Sequence, residues 1–215
     1  MVRSAFVSSV DAIQDELGSF FRDAGFRRKG RLYNRTTNDG LIQTVYFQLG
    51  PFDPPGTTYV RGLTRNLHGQ FAVDIGVFVP DVSKLTGEEW GKWVHDAGSH
   101  VRTRLGRTPE ARTDHWWPAA VNQETTGDIL RLLQTHASAF FSRFETREKL
   151  LREIDDAGRW DGYAMTPPWI IQAAILAEAH DRERAVAILE RGRDRAMKDG
   201  MKGHAAYLLG LIRKL

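Results

Sequence analysis

Apolar and polar positions alternate most strictly between Gly25 and Pro80, and the rest of the chain reads as cover for that stretch. Val45, Phe47 and Leu49 share one face of a strand, and Phe71, Val73, Ile75, Val77 and Val79 share one face of another, because successive strand side chains point to opposite sides. Tyr46, Gln48, Asp74 and Phe78 point the other way. The sheet therefore has one plainly apolar side and one mixed side that must be wet, covered or functional. Arg31 to Thr37 reads as the strand before these, joined to the next by Asn38-Asp39-Gly40, residues that tolerate positive φ. A three-residue turn sets Tyr33 opposite Val45 in the core, whereas a two-residue Asp39-Gly40 turn sets it beside Tyr46. The first is favoured because it buries the aromatic. Val101 to Leu105 alternates again, and antiparallel order would put Arg102 and Arg104 on the face of Asp74.

Helical spacing appears on both sides of this sheet. Phe6, Val7, Val10, Ile13, Leu17, Phe20 and Phe21 recur at three- and four-residue steps, predicting a helix over about Ser4 to Ala24 that Gly25 stops. Residues 50 to 70 carry Pro51, Pro54, Pro55, Gly56, Gly62 and Gly69 and read as a long loop. Thr86-Gly87-Glu88-Glu89 reads as a capping box opening a short helix through Trp90, Trp93 and Val94, with Gly98 closing it. Trp116-Trp117-Pro118 marks a corner before a helix from about Thr126 to Phe141, and a second piece runs from Thr146 to Ala157.

A turn-rich connector over 158–168 then leads into alanine-rich helices, about Pro168 to His180, Asp181 to Lys198 and Lys202 to Arg213. Asp181 is a natural N-cap and Gly200 a natural stop. The bend at 177–185 resembles that of a tetratricopeptide hairpin, but it occurs once, and such repeats need about three stacked units to bury a core. These helices are therefore expected to dock on the α/β part. The predicted fold is α+β: a mainly antiparallel sheet of about four strands packed by helices, with an all-helical C-terminal extension. It divides into a sheet domain, 1–158, and a helical segment docked on it, 159–215.

Composition narrows the function classes. The 215 residues are 41% hydrophobic and 27% charged, as in ordinary globular chains, and no apolar run approaches the roughly 20 residues of a membrane helix. The first residues pass straight into an amphipathic pattern bearing Asp11, Asp15 and Glu16, so no secretory signal is expected and the cytoplasm is the expected compartment. The absence of cysteine removes disulfides, thiol nucleophiles and Cys-ligated zinc. Formal charge is +3 and the isoelectric point about 9.3, too mild a balance to indicate nucleic-acid binding by itself.

Gly-x-Ser-x-Gly, the phosphate-binding Gly-x4-Gly-Lys-Ser/Thr loop, Gly-x-Gly-x-x-Gly and His-Glu-x-x-His are all absent from the sequence. His95, Asp96 and His100 straddle Gly98, so they do not stack as metal ligands on one helix face, and no metal or other cofactor is expected. Two clusters remain. Tyr46, Gln48, Asp74, Arg102 and Arg104 on the mixed face combine two guanidiniums with one carboxylate, a set that can clamp a carboxylate or phosphate. The plainer alternative is that the C-terminal helices cover this face and its charges pair among themselves. Arg22, Arg27, Arg28, Lys29, Arg31 and Arg35 form the densest positive patch. It is either an anion-binding corner or a solvated turn whose cations favour the negative end of the first helix.

Gly25-Phe26-Arg27-Arg28-Lys29-Gly30, Tyr33, Asn38-Asp39-Gly40-Leu41-Ile42-Gln43, Tyr46-Phe47-Gln48 and Val73-Asp74-Ile75-Gly76-Val77 resemble the bacterial domain-of-unknown-function family 4304. Arg102-Thr103-Arg104-Leu105 and Trp116-Trp117 fit its later pattern, and the resemblance covers roughly residues 4 to 155. It implies an α/β sheet-and-helix domain and carries no agreed activity or catalytic residue. The 51–70 loop looks larger than is usual for that family. The function expected from the sequence is a non-enzymatic protein-binding module of immunity or adaptor type. The alternatives are an anion or nucleic-acid binder at the Arg-rich corner and an unrecognised enzyme at the mixed face. Another protein is the expected partner, with no specific nucleic acid and no membrane, and the oligomeric state is open.

Overall fold

The computed structural model describes residues 5–50, 67–107, 114–154 and 166–215. Among them the chain runs α1 (Ala5–Glu16), α2 (Gly18–Asp23), β1 (Arg27–Lys29), β2 (Leu32–Thr36), β3 (Ile42–Leu49), β4 (Gln70–Phe78), α3 (Pro80–Thr86), β5 (Val101–Arg104) and β6 (Trp117–Pro118). It continues as α4 (Gln123–Leu132), a π-helical segment (Leu133–Ala137), α5 (Ser138–Arg143), α6 (Arg147–Glu153), α7 (Pro168–Glu178), α8 (Arg182–Lys198) and α9 (Lys202–Ile212). The fold is α+β, with a six-stranded antiparallel sheet in the order β1-β2-β3-β4-β5, and β6 pairs β4 beyond β5. The long loop expected over 51–70 lies outside the described residues as far as 66, as does most of the 158–168 connector.

Register follows the buried aromatic. Tyr33 pairs with Val45 and Leu32 with Tyr46, and the β2–β3 turn closes through Thr37 N–H to Leu41 O at 2.8 Å, with Gly40 at φ +81°. The apolar face then carries Tyr33, Val45, Phe47, Phe71, Val73, Ile75 and Val77, each 2% exposed or less. It packs against Val10, Ile13, Leu17 and Phe21 from α1–α2 and against Ile129, Leu133, Phe140 and Phe141 from the α4–π–α5 stretch. Phe21 stacks on Tyr33 at 3.9 Å between ring centres, and Phe26 meets Phe141 at 5.8 Å. Burial pushes the Tyr33 phenol up to about 12.

Local structure differs from expectation in four places. The first helix breaks at Leu17 into α1 and α2. Arg27–Lys29, expected as a corner, is a short strand paired with β2. It has no apolar face of its own, so alternation could not reveal it. The helix expected from Thr86 to Val94 is absent. A helix instead starts at Pro80, which sits at its first position, and Gly87, at φ +81°, ends it. The helix over 123–143 contains a π-helical segment that the sequence stripe did not show.

The segment from Gly87 to His100 folds back over half of the mixed face. Trp90 meets Phe78 edge-on at 5.2 Å, His100 stacks on Phe78 at 4.8 Å, and Ser99 bonds Thr44 at 3.0 Å. Gly76 makes this close approach possible, since a Cβ there would lie 2.5 Å from Ser99 Oγ. Asn34 pins the segment by donating to Val94 O and accepting from Val94 N–H, both at 2.9 Å. Thus Ser99 and His100, with Trp90, cover this half of the face in place of the C-terminal helices.

His100 accepts from Val79 N–H at 2.9 Å through Nδ1, and burial lowers its pKa from 6.5 to about 4. The folded state then binds fewer protons than the unfolded one between these values. Stability is full above about pH 6.5 and falls as the pH drops toward 4, by about 1.4 kcal/mol per unit and about 3 kcal/mol in all. His100→Asn keeps an acceptor without titrating, so its urea midpoint should fall less than the wild type's between pH 7 and 4.5. Equal losses in the two chains would exclude this origin.

The C-terminal helices dock on α3. α7 buries Ile170, Ile171, Ala173, Ala174, Ile175 and Leu176, the all-round apolar surface of a helix with neighbours on both sides. It packs between α3 and α8, with α9 against α8. Asp181 caps α8 through Arg184 N–H. Lys214 Nζ donates to Thr86 O at 2.7 Å, and Lys84 pairs with Glu178 at 2.5 Å.

Candidate functional site

Among the described residues, the other half of the mixed face is open. β3 and β4 set Tyr46 opposite Asp74, and β4 and β5 set Asp74 opposite Arg104. Tyr46, Gln48, Asp74, Arg102 and Arg104 all line one recess of about 590 Å³, so the five sequence-derived candidates meet. Arg31, His95, Asp96, Arg107 and Asp114 also line it. Among the described residues, no side chain of α7–α9 does.

Charge pairing within the recess is uneven. Arg104 donates from Nε to Asp74 at 3.0 Å, from Nη1 to Asp114 at 2.8 Å and from Nη2 to Gln48 at 2.8 Å. Its guanidinium also lies 4.8 Å over the Trp116 ring. Every nitrogen of Arg104 is thus engaged, which makes it the brace of the floor. Burial raises the Asp74 pKa, and Arg104 offsets part of that rise. Arg102 is held loosely, with Nη1 3.5 Å from Asp96, and its side chain is one-third exposed. Among the described residues Arg31 Nη1 is buried without a hydrogen-bond partner, and the guanidinium lies 5.9 Å from the Tyr46 ring centre. His95 completes the wall, 4.1 Å from Tyr46 between ring centres and 2.5 Å from Asp96. Four arginines face three aspartates in the lining.

The Arg-rich corner does not form one cluster. Pairing of β1 with β2 sets Arg27 and Lys29 opposite Asn34 and Leu32, on the mixed face, and Arg28 opposite Tyr33, on the apolar face. Arg28 bonds Asp15 at 2.5 Å. Arg35 turns beneath the sheet to Gln43 and Ala24, Arg22 is exposed on α2, and Arg31 joins the recess. Arg27 lines a smaller recess, of about 350 Å³, with Arg35, Lys92 and Trp93. Sequence reasoning placed Arg31 in the corner and set His95 and Asp96 aside as metal ligands. Arg31 lies in the turn between β1 and β2, outside the alternation of either strand, and the folded-back 87–100 segment has no periodic signal for the others.

No family model, curated protein or solved structure matches this chain. Among the described residues no group of three His, Asp or Glu side chains can hold a metal, and no helix is long and apolar enough to cross a membrane.

Proposed function

We propose that this protein is a binding module whose mixed-face recess takes a small molecule bearing a carboxylate or phosphate. The observation that carries this reading is Arg31: among the described residues, a guanidinium nitrogen buried without a partner, in a recess that the loosely paired Arg102 also lines. Burying a charged donor unsatisfied is costly, and an anion that accepts from Arg31 removes that cost, with Arg102 adding positive charge to the same recess. The Tyr46–His95 wall offers a face for a planar ligand body.

Binding is favoured over catalysis because Asp74, a buried carboxylate of the floor, is already engaged by Arg104. A small ligand is favoured over a protein partner because a concave recess of this volume falls in the range of small-molecule sites. The apolar anchors that centre protein interfaces are limited here to Tyr46 and Leu49.

Calorimetric titration of the whole chain with inorganic phosphate, citrate and a nucleoside monophosphate tests this. At least one should bind saturably, weaken as salt is added, and lose about tenfold or more in affinity in Arg31→Met and in Arg102→Met. If none binds at millimolar concentration, or both variants bind like the wild type, the assignment is wrong.

A further inference from the structure

On the opposite face of the sheet, strand β3 borders a second cavity. It has a volume of about 200 Å³ and is lined by Phe20, Phe21, Phe26, Phe141, Leu133 and Ala137, with Arg35, Gln43 and Glu145 as its charged and amide groups. A cavity of about 150 Å³ with apolar walls holds a benzene ring, so this one has room for a ring with a small substituent. The π-helical segment forms one wall: Leu133 and Ala137 are its first and last residues. Ser138 Oγ bonds back to Leu133 O at 3.1 Å. The extra residue that a π-turn inserts into an α-helix is a local cost, and such insertions concentrate at functional sites.

Arg35 gives the cavity its chemistry. Its guanidinium is half-buried between two aromatic rings, 4.7 Å from the centre of Phe26 and 5.9 Å from that of Phe141. Nε and Nη2 donate to Gln43 Oε1 at 2.8 and 2.5 Å, and Nη1 donates to Ala24 O at 2.7 Å. Three of the five N–H groups are thereby used and two remain. Both partners, Gln43 and Ala24, are neutral. The carboxylate whose charge reaches Arg35 is Glu145, which lies at the solvent edge and is bonded to Lys149 Nζ at 2.8 Å. Desolvation depresses the Arg35 pKa accordingly. A cation held among aromatic rings without a bonded carboxylate is the arrangement that an incoming anion stabilises.

We infer that this cavity is a binding site for a small hydrophobic carboxylate, its aromatic or short aliphatic body enclosed by the phenylalanines and its carboxylate bonded to the free N–H groups of Arg35. The site is separate from the mixed-face recess, since Gln43 and Val45 point into this cavity while Tyr46 and Gln48 point into the other.

Benzoate, benzyl alcohol and acetate distinguish the parts of this assignment when titrated into the whole chain. Benzoate should bind saturably with Kd below about 1 mM, benzyl alcohol about tenfold or more weakly for lack of charge, and acetate not at all for lack of a body. Ala137→Leu fills the cavity and should abolish benzoate binding. Ala24→Leu fills it from the opposite wall and serves if the first variant does not fold. Arg35→Met should bring benzoate and benzyl alcohol to equal affinity. Absence of saturable benzoate binding to the wild type overturns the inference. So does binding that survives filling from either wall, or a benzoate preference that persists without Arg35.

Discussion

Ile75→Ala lowers the free energy of unfolding by about 2–5 kcal/mol, a large share of what a chain of this size has to lose. Ile75 is fully buried at the middle of β4, paired with Val45 on one side and Thr103 on the other. Its side chain enters the same core as Val10, Ile13 and Phe21. Truncation removes three methyl or methylene groups from a position enclosed by strands on both flanks and helices above. The backbone there is held by two ladders and cannot collapse to close the gap. Urea unfolding followed by tryptophan fluorescence reads the loss. A midpoint indistinguishable from the wild type would mean that the apolar face is not the structural centre.

A chain ending at Ile154 does not unfold cooperatively. Its loss of α7–α9 uncovers Val82 and Leu85 of α3, which share one contiguous core with Ile170, Ile171 and Ala174 of α7. It also removes the carbonyl cap that Lys214 supplies to α3 and the Lys84–Glu178 pair. Three short helices without cross-links make a marginal core alone, and α3 is equally short of partners without them. The truncated chain is expected to bind a hydrophobic dye and to show a broad, low thermal transition, while the full chain shows one sharp transition. If the shorter chain melts as sharply and as high as the full one, the helices are an appended domain.

Both outcomes rest on features unequally visible in the sequence. β3, β4 and β5 were legible because each has one apolar face, and the Tyr33–Val45 register followed from burying a ring. The same parity brought Tyr46, Gln48, Asp74, Arg102 and Arg104 together. β1 was not legible, since its three charged residues are strand only by pairing with β2. α3 carried its own signals, with Pro80 at the start, Lys84 in the last turn and Gly87 after it. Treating Thr86 as the cap of a later helix obscured them. The fold-back of residues 87–100 depends on Gly76 leaving room for Ser99 and on Asn34 holding Val94. These long-range contacts have no period along the chain, so the wall bearing His95 stayed hidden.

The pairing of β1 with β2 bears on how this chain tolerates change. Gly30 and Arg31 join the two strands, with Gly30 at φ +60°, and the pairing sends Arg27 and Lys29 one way and Arg28 the other. Exchanging one cation for another at these positions alters little in the field over the recess. Deleting one residue of the turn exchanges the two faces, sending Arg28 to the mixed face, away from its partner Asp15, and Arg27 and Lys29 toward α1. Chain length here is therefore under tighter constraint than residue identity, and variants that keep the spacing but scramble the cations should be far better accepted than those that shorten it by one.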